Sequence, residues 1–365
     1  MFAYVGIVGF GSKFILEEKH IYQKYNNGTT LFFAVIIFAL PVFFIGMRTD
    51  FNDTYAYMNG FNNLSTSFSS LLAKSDKKGY GFIVYEWIIK RFITKDVNIF
   101  FMITATINAS ALIKLYYKYS TSFVYSVLLF FLSMSFTYMM GGIRQFLAVS
   151  LIIFASDYIF EKKFFRFLII FFIAYSIHAT ALIWLIGFFV VQGKPWNLRV
   201  IILILSTVAV VFFIDAFTDI LSDALVGTDY EGATEQFAKD DGSSYIRTII
   251  FAIPVVISFW KRKEIEEKNQ KHIFVMINCS VMCVVISLLA NFTSGILIGR
   301  FPIYFSLFNY ALLPWMFENI FEGKSKIIIK FACLCGYICF AYYNINMCYY
   351  NTMPYISNVL GLRIQ

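Results

Sequence analysis

Three arginines and a histidine stand almost alone in stretches that are otherwise nearly all hydrocarbon. Arg144, in Met140-Gly141-Gly142-Ile143-Arg144-Gln145, opens one apolar run, and His178, in Ala174-Tyr175-Ser176-Ile177-His178, interrupts the next. Arg48 follows the apolar run 29–47, and Arg300 precedes the run 301–320. An ionisable group at membrane depth is costly, so it generally faces a bundle interior or a wet cavity. Arginine carries a planar fork that suits phosphate, and helix starts at 143 and 301 would add a favourable dipole. The competing reading is snorkelling, in which long cationic side chains near helix ends reach the headgroups. His178 changes charge near neutral pH and is a candidate general acid or base. Its alternative is a neutral histidine satisfied by backbone at a helix break.

The segment Gly46-Met47-Arg48-Thr49-Asp50-Phe51-Asn52-Asp53-Thr54-Tyr55-Ala56-Tyr57 adds carboxylates. Asp50 and Asp53 are three apart, so on one helical turn they share a face. One could act as a general base, or cap a helix. Asp53 is the preferred base, narrowly ahead of His178, and Glu86 is a lesser carboxylate candidate. Tyr55 and Tyr57 read as interfacial anchors or as platforms for a sugar ring. A metal held by Asp50 and Asp53 is an alternative, but arginine already supplies positive charge, so neither metal nor cofactor is expected.

The elements that must position these groups are membrane helices. Hydrophobic residues make up 59% of the 365 and charged residues only 14%; the mean hydropathy is +0.70. Soluble domains are roughly 25% charged. A spanning helix needs about 20 mostly apolar residues. Good stretches lie at 29–47, 98–117, 122–140, 143–160, 197–215, 244–260, 271–292, 301–320 and 326–345. The run 164–191 is too long for one ordinary span, and Phe2–Phe10 is too short for one. The expectation is an all-α polytopic membrane protein of about 10–12 transmembrane or re-entrant helices. It would form one integral domain over residues 1–365, with external loops at about 48–79 and 216–243. Of the six cysteines, Cys333, Cys335 and Cys339 share one apolar helix, where packing is the simpler role.

The net charge of +8 reads through topology, because Lys and Arg gather in cytoplasmic loops; nucleic acid is not the natural partner. Six basic clusters are centred on Lys19, Lys114/Lys118, Lys162/Lys163/Arg166, Lys194/Arg199, residues 261–271 and Lys324/Lys326/Lys330. One threading puts all six inside. It requires 80–94 not to cross and 164–191 to enter and return. Arg48, Arg144 and Arg300 then share the outer leaflet, the side where the rule disfavours them. Lys90, Arg91 and Lys95 fall outside too, against the rule. No phosphate-binding loop, Rossmann glycine pattern or His-x-x-x-His pair occurs, which argues against an ATP-driven transporter or a metalloprotease.

At these residues the chain resembles the EpsG family of bacterial exopolysaccharide proteins, relatives of the Wzy polymerases. Four stretches carry the likeness: Gly46-x-Arg48 with Asp53-Thr54-x-x-Tyr57; Gly79-Tyr80-Gly81-Phe82; Ile143-Arg144-Gln145-Phe146 continuing to Ser176-Ile177-His178; and Pro354-Tyr355-Ile356-Ser357. An acidic residue often precedes the Gly-Phe pair in the family. Here Lys77-Lys78 stands there, with Asp76 nearby.

The resemblance implies a GT-C-like glycosyltransferase of the bacterial cytoplasmic membrane. It would join repeat units of a surface polysaccharide at the outer face, with a polyprenyl-pyrophosphate-linked oligosaccharide as donor. On that implication Arg144, Arg300 and Arg48 hold the pyrophosphate, and Asp53 or His178 takes the hydroxyl proton. Asp50, Tyr57, Gln145 and Tyr355 meet the sugars. The partners expected are the lipid-linked substrate, the bilayer, a flippase and a chain-length regulator. Two other classes are weighed. A flippase predicts symmetry between halves and charges along a path through the membrane. An acyltransferase with His178 as base predicts a donor site reached from the cytoplasm.

Overall fold

A computed structural model describes residues 4–9, 30–75, 77, 79–214, 244–293, 295, 298–347 and 355–364. The basic cluster around Lys19, the loop 216–243, Asp76, Lys78, Cys348 and Pro354 lie outside the described residues.

The described residues are all-α apart from one short hairpin. The chain divides into two compact units, Met1–Trp184 with Ile327–Gln365, and Leu185–Lys326. In the first unit, α1 is Leu31–Met47, α2 Thr54–Asn62, α3 Phe68–Leu72, α4 Tyr80–Phe92 and α5 Val97–Tyr119. They are followed by α6 (Phe123–Leu132), α7 (Ser135–Gly141), α8 (Ile143–Phe154), α9 (Ser156–Phe160) and α10 (Phe164–Ile177). A 3₁₀ turn, Ala179–Leu182, leads to α11, Ile183–Val190. The second unit holds α12 (Leu198–Phe212), α13 (Tyr245–Trp260), α14 (Arg262–Lys268), α15 (Lys271–Asn291) and α16 (Ile303–Ile320). Helix α17, Gly323–Asn346, carries the chain back into the first unit, where β1 (Tyr355–Ser357) pairs antiparallel with β2 (Leu362–Ile364).

Three of these helices are long and apolar enough to span a bilayer: α5, α15 and α17, with 23, 21 and 24 residues. At about 1.5 Å per residue each matches the roughly 30 Å hydrocarbon core. Shorter apolar helices (α1, α8, α10, α12, α13 and Ala179–Val190) accompany them. The protein is a multi-pass membrane protein, as its composition demands.

Two expected spans are broken. The run 122–140 bends by 67° between α6 and α7. Met134 adopts a left-handed φ of 63° there. The freed backbone is satisfied inside the protein, as membrane depth requires: buried Ser133 donates to Phe130 O at 2.9 Å, and its hydroxyl meets that of Ser135 at 2.9 Å. The run 143–160 divides at Ala155 into α8 and α9. The long run 164–191 breaks at His178, where the sequence placed its interruption.

The polar groups sort by end. In the first unit Gly46 lets α1 lie directly against α5, since a Cβ there would meet the Met102 side chain; small residues permit such approach in membranes. Asn98, at the start of α5, donates to Gly46 O at 2.7 Å. At the other end of α5, Lys114 and Lys118 reach Asp157 at 2.9 and 2.6 Å. Tyr125, just beyond, donates to Lys330 O at 2.7 Å. The second unit repeats the pattern. Arg262 and Lys194 meet Glu266 at 2.7 and 3.8 Å, whereas Arg247 donates to Gly299 O from the opposite end of α13, at 3.2 Å. Among the described residues these basic clusters gather at one end of each unit. A thiol at position 118 and one at the exposed Tyr55 position, each in a cysteine-free background, should label from opposite sides with a membrane-impermeant reagent. Labelling of both from one side overturns the threading.

Candidate functional site

The end of the first unit remote from Lys114 and Lys118 holds an open cleft of about 310 Å³, lined by Asp53, Tyr57, Gly79, Phe82, Glu86 and Arg144 among others. Three helix starts build it. Helix α2 brings Asp53 and Tyr57, α4 brings Phe82 and Glu86, and α8 brings Arg144.

Arg144 is half-buried in the first turn of α8. Its guanidinium carbon lies 5.5 Å from the Phe82 ring centroid. Gly79 sits against it with φ +75°, and a Cβ on Gly79 would collide with Arg144 Nη2. Glycine is therefore required twice over, for its backbone conformation and for the space it leaves. Arg144 Nε is buried with no hydrogen-bond partner among the described residues. A buried donor left unpaired costs about 1–3 kcal/mol.

Asp53 occupies the N-cap position of α2, but its side chain makes no capping hydrogen bond. Its exposed carboxylate stays on the rim of the cleft. Tyr57 lies one turn on, edge-on to Phe82 with ring centroids 6.0 Å apart. Burial raises its hydroxyl's pKa, and the backbone and charge of Arg144 work against that. Glu86 faces the same space from α4 and is buried at 7% exposure. Burial pushes its carboxyl up to about 7, against the pull of Arg144, Lys74 and Lys90.

Other expected site residues lie elsewhere. Arg48 does not line the cleft; it is fully buried. Its Nε donates to Thr54 Oγ1 at 2.9 Å and its Nη1 to Ile45 O at 2.5 Å, with the guanidinium 4.2 Å from the Phe101 ring. Desolvation lowers it to about 9, so it stays cationic at neutral pH. Its Nε and Nη1 hold the end of α1 to the start of α2, while Nη2 is buried with no hydrogen-bond partner among the described residues. Asp50 and Asp53 do not share a helical turn: Asp50 is exposed in an isolated β-bridge to Ile356, before α2 begins. Tyr355 is buried and donates to Phe44 O at 2.8 Å. Gln145 is buried and accepts from the Tyr138 hydroxyl. Both are packing residues rather than walls of the cleft.

His178 caps the helix break. It ends α10, and its Nδ1 lies 2.6 Å from Thr180 Oγ1 and 3.4 Å from the Thr180 amide at the head of the 3₁₀ turn. It does not line the cleft, though neighbouring Ile177 and Ser176 pack against Gly79 and Gly81. Arg300 belongs to the second unit, exposed at the end of the 3₁₀ turn Ile298–Arg300. Lys90, which charge counting places on the disfavoured side, donates to the Phe61 and Asn62 carbonyls, both at 2.7 Å, and so closes the C-terminus of α2.

The cleft gathers residues from the Gly46–Tyr57, Gly79–Phe82 and Ile143–Phe146 stretches, while the fourth stretch, at the C-terminus, buttresses the first. No curated protein and no solved structure matches the chain. A family model does match, over residues 31–357. With nearly its whole length covered, the chain belongs to the EpsG family, which is associated with exopolysaccharide.

Proposed function

We propose that the protein is a polymerase of a bacterial surface polysaccharide, acting at the outer face of the cytoplasmic membrane. It moves an oligosaccharide from a polyprenyl-pyrophosphate carrier onto the hydroxyl of an acceptor sugar. The observation that carries the reading is Arg144, a half-buried cation with an unpartnered Nε, set in a cleft with carboxylates at the end away from the basic clusters. A pyrophosphate in the cleft gives the Arg144 guanidinium an anionic acceptor. As the bond to the anomeric carbon breaks, negative charge grows on that pyrophosphate, and a fixed cation aimed at it lowers the barrier. A carboxylate of the same cleft takes the hydroxyl proton. Tyr57 and Phe82 offer flat apolar faces beside it for a sugar ring.

The test is deletion in the host together with reconstitution. The deletion strain is expected to lose long polymer and to accumulate single lipid-linked units. Purified protein in liposomes is expected to lengthen lipid-pyrophosphate-linked oligosaccharide and release the carrier pyrophosphate. Full-length polymer in the deletion strain, or no elongation by active liposomes, sinks the reading.

A further inference from the structure

We propose that Glu86 is the general base of this transfer, taking the proton of the acceptor hydroxyl from the wall of the cleft that Arg144 shares. The inference rests on the polymerase reading and names the group which that reading left open. Glu86 combines two properties rarely found together. It is almost wholly buried, yet it borders an open cleft. Arg144, Lys74 and Lys90 act on it through their charge, and among the described residues none forms an ion pair with it. A buried carboxylate without a close counter-charge is costly, and sites that use the charge are where such groups persist. Asp53, by contrast, sits exposed on the rim, where water competes for it.

The surroundings set the proton affinity. Lys74 follows α3; Tyr85 and Lys90 are on Glu86's own helix; Arg144 stands on α8 and Asp53 and Tyr57 on α2. Tyr175 belongs to α10, the helix packed along α4, and His178 caps its end; Tyr85 meets Thr104 of α5 at 2.8 Å. Desolvation outweighs the cations and brings the carboxyl to about 7, close to the pH at which a base works best.

The step balances. The acceptor oxygen forms a bond to the anomeric carbon of the donor, and the bond from that carbon to the pyrophosphate oxygen breaks. Its electron pair leaves with the lipid pyrophosphate, held by Arg144. The hydroxyl proton passes to Glu86 and then to solvent.

Glu86→Gln keeps the shape and removes the base. In liposomes it is expected to lower kcat by at least about 10²-fold, with KM for the donor little changed. The wild type should lose activity as pH falls through about 7, because the carboxyl must be ionised to accept a proton. Glu86→Gln should lack that acid limb, and Glu86→Asp should keep it at a reduced rate. Turnover of Glu86→Gln within about threefold of wild type, or an acid limb that survives in it, overturns the proposal. If Glu86→Gln fails to accumulate, Glu86→Asp decides: slowed turnover with KM kept supports the base, and unaltered turnover overturns it. A wild type that elongates nothing overturns the polymerase reading. A wild type that elongates beside an inactive Arg144→Lys and a fully active Glu86→Gln overturns only the base.

Discussion

Arg144→Lys is expected to lower chain elongation by about 10²–10³-fold in reconstituted membranes, the usual loss when one donor to a developing anion is removed. Lysine keeps the charge, so the loss isolates the fork. A guanidinium is flat and presents two or more N–H groups in one plane; an ammonium is a compact point charge. The site is shaped for the flat group. Phe82 lies under it, and left-handed Gly79 leaves it the space a Cβ would fill. The atoms that lysine deletes include Nε, a buried donor with no partner among the described residues. Because charge on the pyrophosphate grows only as the glycosyl bond breaks, the loss should fall mainly on kcat, with a smaller rise in KM for the donor. Elongation measured across donor concentrations, at matched protein level, checks this. An unchanged kcat removes Arg144 from the pyrophosphate.

Why one arginine reaches the cleft while another is drawn into the packing is a matter of neighbours rather than of residue type. Arg48, Arg144 and Arg300 look alike as lone cations beside apolar runs. Arg48 precedes Thr54 by six positions and lies beside the last turn of α1, so its Nε and Nη1 have protein acceptors at hand. The Arg144 guanidinium lies against Gly79 and Phe82, which offer it surface but no side-chain acceptor. The Gly79-Tyr80-Gly81-Phe82 stretch is legible as a motif; that its first glycine makes room for a distant arginine is not. Glu86 is harder still. A single carboxylate in Tyr80–Phe92 reads as an amphipathic helix at the surface. Its burial comes from elements distant in sequence that pack around α4, α10 chief among them.

For the fold, composition and long apolar runs suffice to give the class, and one break. His178 announces its break because the local chain turns polar. The bend at Met134 carries no comparable signal. Serines flank it on both sides, but serine also rides inside intact membrane helices by bonding backward to its own turn, so Ser133 and Ser135 distinguish neither case. Lys90 misleads the charge count for a similar reason. Its ammonium serves two carbonyls at the end of α2, a local demand that a topology rule does not include. The spacing of Asp50 and Asp53 misleads as well: the bridge to Ile356, formed by a distant part of the chain, keeps Asp50 extended.

That distant part supplies the last expected effect. Ending the chain before Tyr355 should leave the protein in the membrane yet lower elongation by at least about tenfold, roughly the effect of 1.4 kcal/mol in a barrier. Strand β1 lies along residues 44–50. Thr49 and Asp50 donate to Ile356 O at 2.8 and 3.1 Å, and Ile356 donates back to Asp50 O at 3.0 Å. Tyr355 and Ser357 donate to the carbonyls of Phe44 and Met47. Each such bond contributes about 1 kcal/mol net, and none involves the apolar faces that hold the helices in the bilayer. All of them end on the segment through which Arg48 grips Thr54, and α2, just beyond that segment, carries Asp53 at its cap and Tyr57 in its first turn. Without the hairpin, that grip is anchored only from the α1 side. Hydrogen exchange over residues 48–62 should therefore quicken in the shortened protein while α8 is unaltered, and elongation should fall in step. If exchange and elongation both match the full chain, the hairpin does not position the site. If exchange quickens and elongation holds, residues 48–62 are not part of the machinery, and the wall formed by α4 and α8 is sufficient for the transfer.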